Sequence, residues 1–348
     1  MKRYVLITLM TLLILSVVPL SPQANSPSFS DISTSYAKEE IEALAKSGVI
    51  DGYTDGTFRP TADITRAEFA KLLAMALNLP QNTEAAAAFN DVPIWAEPYI
   101  GALVDAGVTK GVAANTFGST TPITRQDMMV MIVRGLGYDD YATFLSFTPA
   151  FKDFNQISNY AYDQIGLAAN IQLARGTHQG YFLPKQAAHR QDAARWIYEV
   201  VFEQTTYDRH LAESAIPRVY GSGNVVDVIW HDDDTVEIQL FEQPTRVVEL
   251  DELLSELHGT LQYFYLSRQY GHDWIEYSNE EKREYVGKMV AFWEADYSFF
   301  RVTNEDQDLV PALVTHLNSF FNEDNLYYSI GEKLENYALE NGYIERTE

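Results

Sequence analysis

Apolar residues in this chain recur at helical spacing, and the stretches that carry them recur in turn. Ala37, Ile41, Leu44 and Ala45 fall on one helix face. Ala96, Ile100, Leu103 and Val104 repeat that face about sixty residues later. Gly48 and Gly107 follow, each where a helix ends in a left-handed residue. A second kind of stripe occurs three times: Phe69, Leu72, Leu73, Ala76 and Leu77; Met128, Met131, Ile132, Gly135 and Leu136; Ala193, Trp196, Ile197, Val200 and Val201. Stripes of this spacing are buried. They predict a central three-helix core with one helix from each of three helix-loop-helix repeats, at residues 27–85, 86–147 and 148–204. Each copy is too small to bury its own apolar face, so the copies must pack on one another.

The loops also repeat. Asp55-Gly56 and His178-Gln179-Gly180 supply turn chemistry, and Phe58, Phe117 and Phe182 follow as expected core pins. At the second helix of the first repeat, Thr65-Arg66-Ala67-Glu68 is a capping box; Thr124-Arg125-Gln126-Asp127 is a shorter version of it. The arginine is the oddity, because a cation in the first turn opposes the helix dipole at a cost of about 0.3–1 kcal/mol. Two readings stay open. Unpaired helix N–H groups and the guanidinium fork together suit a carboxylate ligand. Alternatively, the arginine pairs internally with Asp31, Asp91 or Asp153.

Beyond Glu203 the repeats stop. Val225–Trp230 and Thr235–Leu240 flank His231-Asp232-Asp233-Asp234 and predict a β-hairpin with a solvated turn. Apolar stripes through Leu253, Leu257 and Leu261, through Tyr285, Met289 and Trp293, and through Leu313, Leu317, Leu334 and Ala338 predict a helical bundle docked on it. The expected fold is therefore mainly α, with a small α+β domain over 205–348. Its aromatic residues, among them Tyr263, Phe264, Tyr265, Tyr270, Trp274, Tyr277, Trp293, Tyr297, Phe299 and Phe300, are expected chiefly as core. A glycan- or peptide-binding face is the other use of such density. Glu294, Asp296, Glu305, Asp306 and Asp308 could pair as glycosidase carboxylates, but acids this abundant make such pairs inevitable. No nucleophile elbow, phosphate loop or metal-ligand spacing is present, so no catalytic residue, metal or cofactor is assigned.

Charge sharpens this picture. Residues 26–202 carry 13 Lys/Arg against 19 Asp/Glu, whereas residues 203–348 carry 10 against 30, so the two halves bear −6 and −20. Such acidity repels phosphate backbones and argues against nucleic acid as a partner. Lys2 and Arg3, the apolar run Val5 to Leu20 and the small residues that follow have the layout of a signal peptide, expected over residues 1–24. No later segment is long enough to span a membrane. The chain has no cysteine, so an exported protein of this kind holds itself by packing alone.

The repeated motifs resemble the S-layer homology (SLH) module of Gram-positive cell envelopes. The resemblance runs through Phe29-x-Asp31, Tyr36-Ala37, Gly48 to Tyr53, Asp55-Gly56-x-Phe58-Arg59-Pro60 and Ile64 to Glu68, then Trp95-Ala96, Tyr99-Ile100, Gly107 to Gly111 and Ile123-Thr124-Arg125. It covers roughly residues 27–202. It implies a single-chain pseudo-trimer with grooves between neighbouring repeats that hold a secondary cell-wall polysaccharide, the motif arginine gripping the carboxylate of a pyruvyl ketal. The residues it implies are Asp31, Tyr36, Gly52, Tyr53 and Arg66; Asp91, Trp95, Gly111 and Arg125; and Asp153, Tyr160, Gly176 and Arg190. The third copy departs from the pattern at Gln172, Ala188 and His189, and is expected to complete the core more than to bind. The function expected is non-covalent anchoring at the cell surface with the C-terminal region displayed. A tethered enzyme or an adaptor for another envelope protein are the alternatives.

Overall fold

The computed structural model describes residues 29–346 apart from Asp233, Tyr270, 295–299, 303–308, 322–328 and Gly342. The expected signal peptide and most of the acidic cluster near residue 305 lie outside the described residues.

The first repeat supplies α1 (Lys38–Lys46) and α2 (Arg66–Ala76), and the second α3 (Glu97–Asp105) and α4 (Arg125–Gly135). A short helix unique to the second repeat follows, α5 (Asp139–Leu145). The third repeat supplies α6 (Asn159–Asn170) and α7 (Arg190–Phe202). Packing is cyclic: α1 lies on α7, α3 on α2 and α6 on α4, while α2 touches both α4 and α7. The predicted stripes point inward, with Phe69, Leu73, Met128, Ile132, Ala193 and Ile197 fully buried. Phe58, Phe117 and Phe182 are buried too, as loop pins should be. Gln172, which stands where Gly48 and Gly107 end the corresponding helices, takes the same left-handed backbone at φ 66°. A side chain there costs about 1 kcal/mol or more.

A ring of backbone hydrogen bonds closes the trimer. Ile64 N–H donates to Ala188 O at 3.0 Å, Ala188 N–H to Ile123 O at 2.8 Å, and Ile123 N–H to Ile64 O at 3.0 Å. These three residues are equivalent, each two before the motif arginine, so the ring fixes how the three second helices begin.

The chain continues into α8 (Gln204–Val219), then a sheet of β1 (Val225–Trp230), β2 (Thr235–Leu240) and β3 (Arg246–Glu249), antiparallel in the order β1-β2-β3. Next come α9 (Leu250–Ser267), α10 (Gly271–Glu276), α11 (Asn279–Glu294), β4 (Phe300–Val302), α12 (Val310–Phe320), α13 (Ile330–Glu340) and β5 (Ile344–Arg346), with β4 paired to β5. The hairpin falls where the alternation predicts. β3 and α8 were not expected, since β3 is four residues long and α8 carries a weak stripe interrupted by Pro217.

The boundary expected at residue 204/205 does not divide two cores. One apolar cluster runs from the repeats through Tyr207, Leu211 and Ile216 of α8 and the sheet to Leu261. A second gathers Tyr263, Trp274, Tyr285, Phe292, Trp293, Leu313 and Leu334. Of the dense aromatics, Tyr263, Trp274 and Trp293 are core, Phe264 and Tyr277 pack against it and Tyr265 is exposed, while Tyr270, Tyr297 and Phe299 lie outside the described residues. The join is reinforced at α5, where Tyr141 donates to Leu254 O at 2.5 Å and His258 Nε2 lies 3.1 Å from Asp140. No helix of the described residues is long and apolar enough to cross a membrane.

Because Leu211 is fully buried where α8 joins this shared core, Leu211→Ala is expected to destabilise the repeats, by about 2–5 kcal/mol. Chemical denaturation followed by far-UV circular dichroism checks this; an unchanged midpoint would show that α8 is not part of the repeat core.

Candidate functional site

Three arginines stand at equivalent places, and the backbone ring decides what surrounds them. The first free amide of each second helix is taken by a neighbouring repeat: Arg66 N–H donates to Thr121 O at 2.9 Å, Arg125 N–H to Gln186 O at 3.0 Å and Arg190 N–H to Ala62 O at 2.9 Å. The next amides, of Ala67, Gln126 and Gln191, donate to Ser119, Pro184 and Pro60 carbonyls. At the third position, Glu68 N–H and Asp127 N–H bond to the Thr65 and Thr124 hydroxyls at 3.3 and 3.2 Å. In the capping box of the first repeat, Glu68 returns to Thr65 N–H at 2.9 Å. The helix N-termini therefore offer an anion no free amides in their first two positions, and that half of the sequence argument is corrected. Any anion site here rests on side chains.

The repeat-opening aspartates do not pair with the arginines either. Asp31 accepts from Phe58 N–H and Arg59 N–H, both at 2.8 Å. Asp153 accepts from Phe182 and Leu183 N–H, also at 2.8 Å, and Asp91 from Phe117, Gly118 and Ser119 N–H at 2.7–3.1 Å. Their task is to hold the left-handed residue after each phenylalanine, Arg59, Gly118 and Leu183, at φ 60°, 82° and 61°. The internal ion pairs that do exist use other acids, Arg125 with Asp192 at 3.3 Å and Arg190 with Glu68 at 3.7 Å. Gly52 and Gly111 have a packing reason: a Cβ at Gly52 would lie 2.2 Å from the Phe29 ring, and one at Gly111 2.5 Å from the Phe89 ring.

The candidates are regrouped in space, because the grooves of Arg66 and Arg125 each draw on all three repeats. Arg66 of the first repeat meets Gly111 of the second and Tyr160 of the third around a cavity of about 300 Å³, with Thr109, Lys110, Asp127 and Arg134. Arg125 of the second meets Gly176 of the third and Tyr36 of the first around a cavity of about 620 Å³, with Arg175, Asp192 and Arg195. Arg190 of the third lies over the rings of Tyr53 and Phe58, both at 4.8 Å, and Arg59 covers Tyr53 at 3.8 Å. The aromatics expected at the groove mouths, Tyr36, Trp95 and Tyr160, are all about half exposed, at 56, 50 and 54%. Tyr36 donates to Asp192 and Tyr160 to Asp127, so each bridges two repeats. Burial and the Asp127 carboxylate push the Tyr160 phenol up to about 12.

The three guanidiniums differ. Arg125 and Arg190 each donate Nε–H to a phenylalanine carbonyl, Phe182 O and Phe58 O, at 2.8 Å, and each has its acid. Arg66 is 8% exposed, and its side chain makes a single hydrogen bond among the described residues, Nη2 to the Thr109 hydroxyl at 3.3 Å. Its Nε is buried without a partner, and no carboxylate of the described residues is within ion-pair distance. Burial lowers its pKa, with Asp127 partly offsetting this. A buried cation without a counter-charge is costly, by several kcal/mol where a pair has been broken. Thr109 and Lys110 were not assigned to the site from sequence. Their signal was there, since the first repeat has Ile50-Asp51 in their place.

The Asp91 carboxylate gives a pH test of this frame. Burial raises its pKa, but the amides of Phe117, Ser119 and Gly118 outweigh that and leave it below the ordinary value. Its contribution is present above the unfolded value of about 4 and is lost as pH falls through the depressed folded pKa. Asp91→Asn is expected to cost about 1–2 kcal/mol at pH 7. Urea unfolding should show that gap closing as the solution is acidified below pH ~4. A gap that does not change with pH contradicts the assignment.

Comparison with known proteins adds a family match over part of the chain. The model of the S-layer homology domain matches residues 28–70 and 88–129. The chain is 29% identical over 211 residues to an endoglucanase of Bacillus sp. (strain KSM-635), covering 58% of this chain and 22% of that protein. It is 31% identical over 178 residues to an S-layer protein of Bacillus thuringiensis subsp. finitimus, covering 50% and 21%. It is 37% identical over 120 residues to an uncharacterized cell wall amidase of Bacillus anthracis, covering 34% and 22%. The match thus spans about a fifth of the length of each of these three relatives, at 22, 21 and 22%.

Proposed function

From a chain that carries S-layer homology domains at residues 28–70 and 88–129, we propose a protein held non-covalently on the bacterial cell wall by an acidic polysaccharide, with its acidic C-terminal region displayed. The observation that carries this reading is Arg66: a cation nine-tenths buried at a 300 Å³ cavity, with no carboxylate of the described residues within ion-pair distance and with Asp127 alone among the lining residues set against Arg66, Lys110 and Arg134. Lys110 also forms no ion pair there. A carboxylate on a sugar supplies the missing charge and bonds to both cations. A pyruvyl ketal is the compact form of such a group, and the half-exposed ring of Tyr160 offers a flat face to the sugar beside it.

The relatives favour an anchor over an enzyme for this region. Their names differ, an endoglucanase, an S-layer protein and a cell wall amidase, while the part of each that matches this chain is about a fifth of its length. A shared part among proteins so named is best read as what they have in common, attachment. The adaptor reading loses its main support, since Tyr263, Trp274, Tyr285, Phe292 and Trp293 are buried rather than displayed.

Sedimentation with purified cell walls tests the proposal. Arg66→Gln is expected to weaken retention by about tenfold or more, with the circular dichroism spectrum unchanged. Hydrolysing the ketals of the wall with mild acid is expected to do the same to the native protein. Full retention in both cases refutes the site and the ligand together.

A further inference from the structure

We infer that the larger groove, beside Arg125, is a second carboxylate site whose anion contacts are Arg175 and Arg195 rather than the motif arginine. This rests on the reading that the repeats bind an acidic polysaccharide. It assigns binding to the third repeat, whose sequence is the most eroded.

Arg125 has little left to give. Its Nε–H is on Phe182 O at 2.8 Å, its Nη1 is 3.3 Å from Asp192, and its guanidinium lies 4.9 Å from the Trp196 ring, with 11% of the side chain exposed. Asp192 is in turn held by the Tyr36 hydroxyl and by His189 N–H at 3.0 Å. That cation has one carboxylate, one carbonyl and one ring as partners, and little of it reaches the cavity.

Arg175 and Arg195 line the same 620 Å³ cavity and are not neutralised in this way. Arg175 is 57% exposed; its Nη2 is 3.9 Å from Glu199 and its Nε 3.4 Å from Gln172 O. Arg195 is 32% exposed, 3.5 Å from Glu199 and 3.7 Å from Glu40. All of these contacts are long for charged partners, whose hydrogen bonds run about 2.7–2.9 Å. Both arginines share one carboxylate, Glu199, which the Tyr207 hydroxyl of α8 also holds. The structure thus presents two guanidinium forks on one cavity wall with donors to spare.

This pair is particular to one groove. At the place of Arg175 the first repeat has Asp51 and the second Lys110; at the place of Arg195 they have Lys71 and Val130. Asp51 and Lys71 are 3.8 Å apart, so the first repeat's pair cancels itself. The ligand class is a sugar carboxylate, which two forks can bridge. Ketal and uronate carboxylates share that chemistry.

The test uses the full chain and polysaccharide released from purified walls, followed by isothermal titration calorimetry. Three probes are compared: the native polymer, the polymer after mild-acid hydrolysis of its ketals, and the polymer with its uronates reduced. Arg175→Gln, at an exposed position, and Arg175→Gln/Arg195→Gln are measured beside Arg66→Gln, with thermal melts as a control on folding. The inference expects both Arg175 variants to bind about tenfold more weakly with Arg66 intact, and Arg175→Lys to restore part of the loss. Whichever probe has lost the affected carboxylate should make native protein and variant indistinguishable. If Arg66→Gln weakens binding while both Arg175 variants bind like the native protein, the second site is overturned and the first stands. If no variant changes affinity, the polysaccharide reading itself falls.

Discussion

The triangle of backbone hydrogen bonds joining Ile64, Ile123 and Ala188 is the constraint on which the rest depends. It sets three helix starts around one axis, where the amides that a helix N-terminus would otherwise turn toward an anion, those of Arg66, Arg125 and Arg190, go to the Thr121, Gln186 and Ala62 carbonyls of the neighbouring repeat. What remains at each groove is a side-chain problem. Each motif arginine is brought against the phenylalanine of the next repeat, Arg66 on Phe117, Arg125 on Phe182 and Arg190 on Phe58, at 5.1, 5.4 and 4.8 Å. A three-fold frame then presents three chemically different sites.

The differences follow from a few residues. An aspartate or glutamate in the first turn of the next second helix faces every motif arginine. The distance decides the outcome: Asp192 and Glu68 come within ion-pair range, and Asp127 does not pair with Arg66. Thr109, where the other repeats have Ile50 and Ala174, gives Arg66 its single hydroxyl partner. Lys110 and Arg175 add cations to two grooves, and Asp51 adds an anion to the loop of the third. The groove of Arg190, with Tyr53 between two guanidiniums, is the one most completely served by the protein itself.

Periodicity made the repeat core legible, because three stripes of equal spacing can be buried only against one another. The capping box of the first repeat, the Thr124 cap of the second, the loop phenylalanines and the β-hairpin were legible for similar local reasons. Three things were not. α5 and α8 carry stripes too short or too interrupted to announce that the C-terminal half shares the repeats' core. The grouping of Arg66 with Tyr160 and of Arg125 with Tyr36 depends on cyclic packing, which motif order along the chain does not encode. The charge state of each groove depends on distances between repeats, so the meeting of Arg175 and Arg195 on one cavity could not be read from the third copy's sequence.

The account stands or falls on Arg66 as the seat of an acidic sugar. The most direct measurement is the nitrogen-15 NMR signal of the Arg66 guanidinium, identified by its loss in Arg66→Gln, as wall polysaccharide is added to the full chain. The account predicts that this resonance shifts and sharpens with the native polymer and stays in place with polymer whose acidic groups have been removed. A signal that ignores both, or answers both alike, contradicts it.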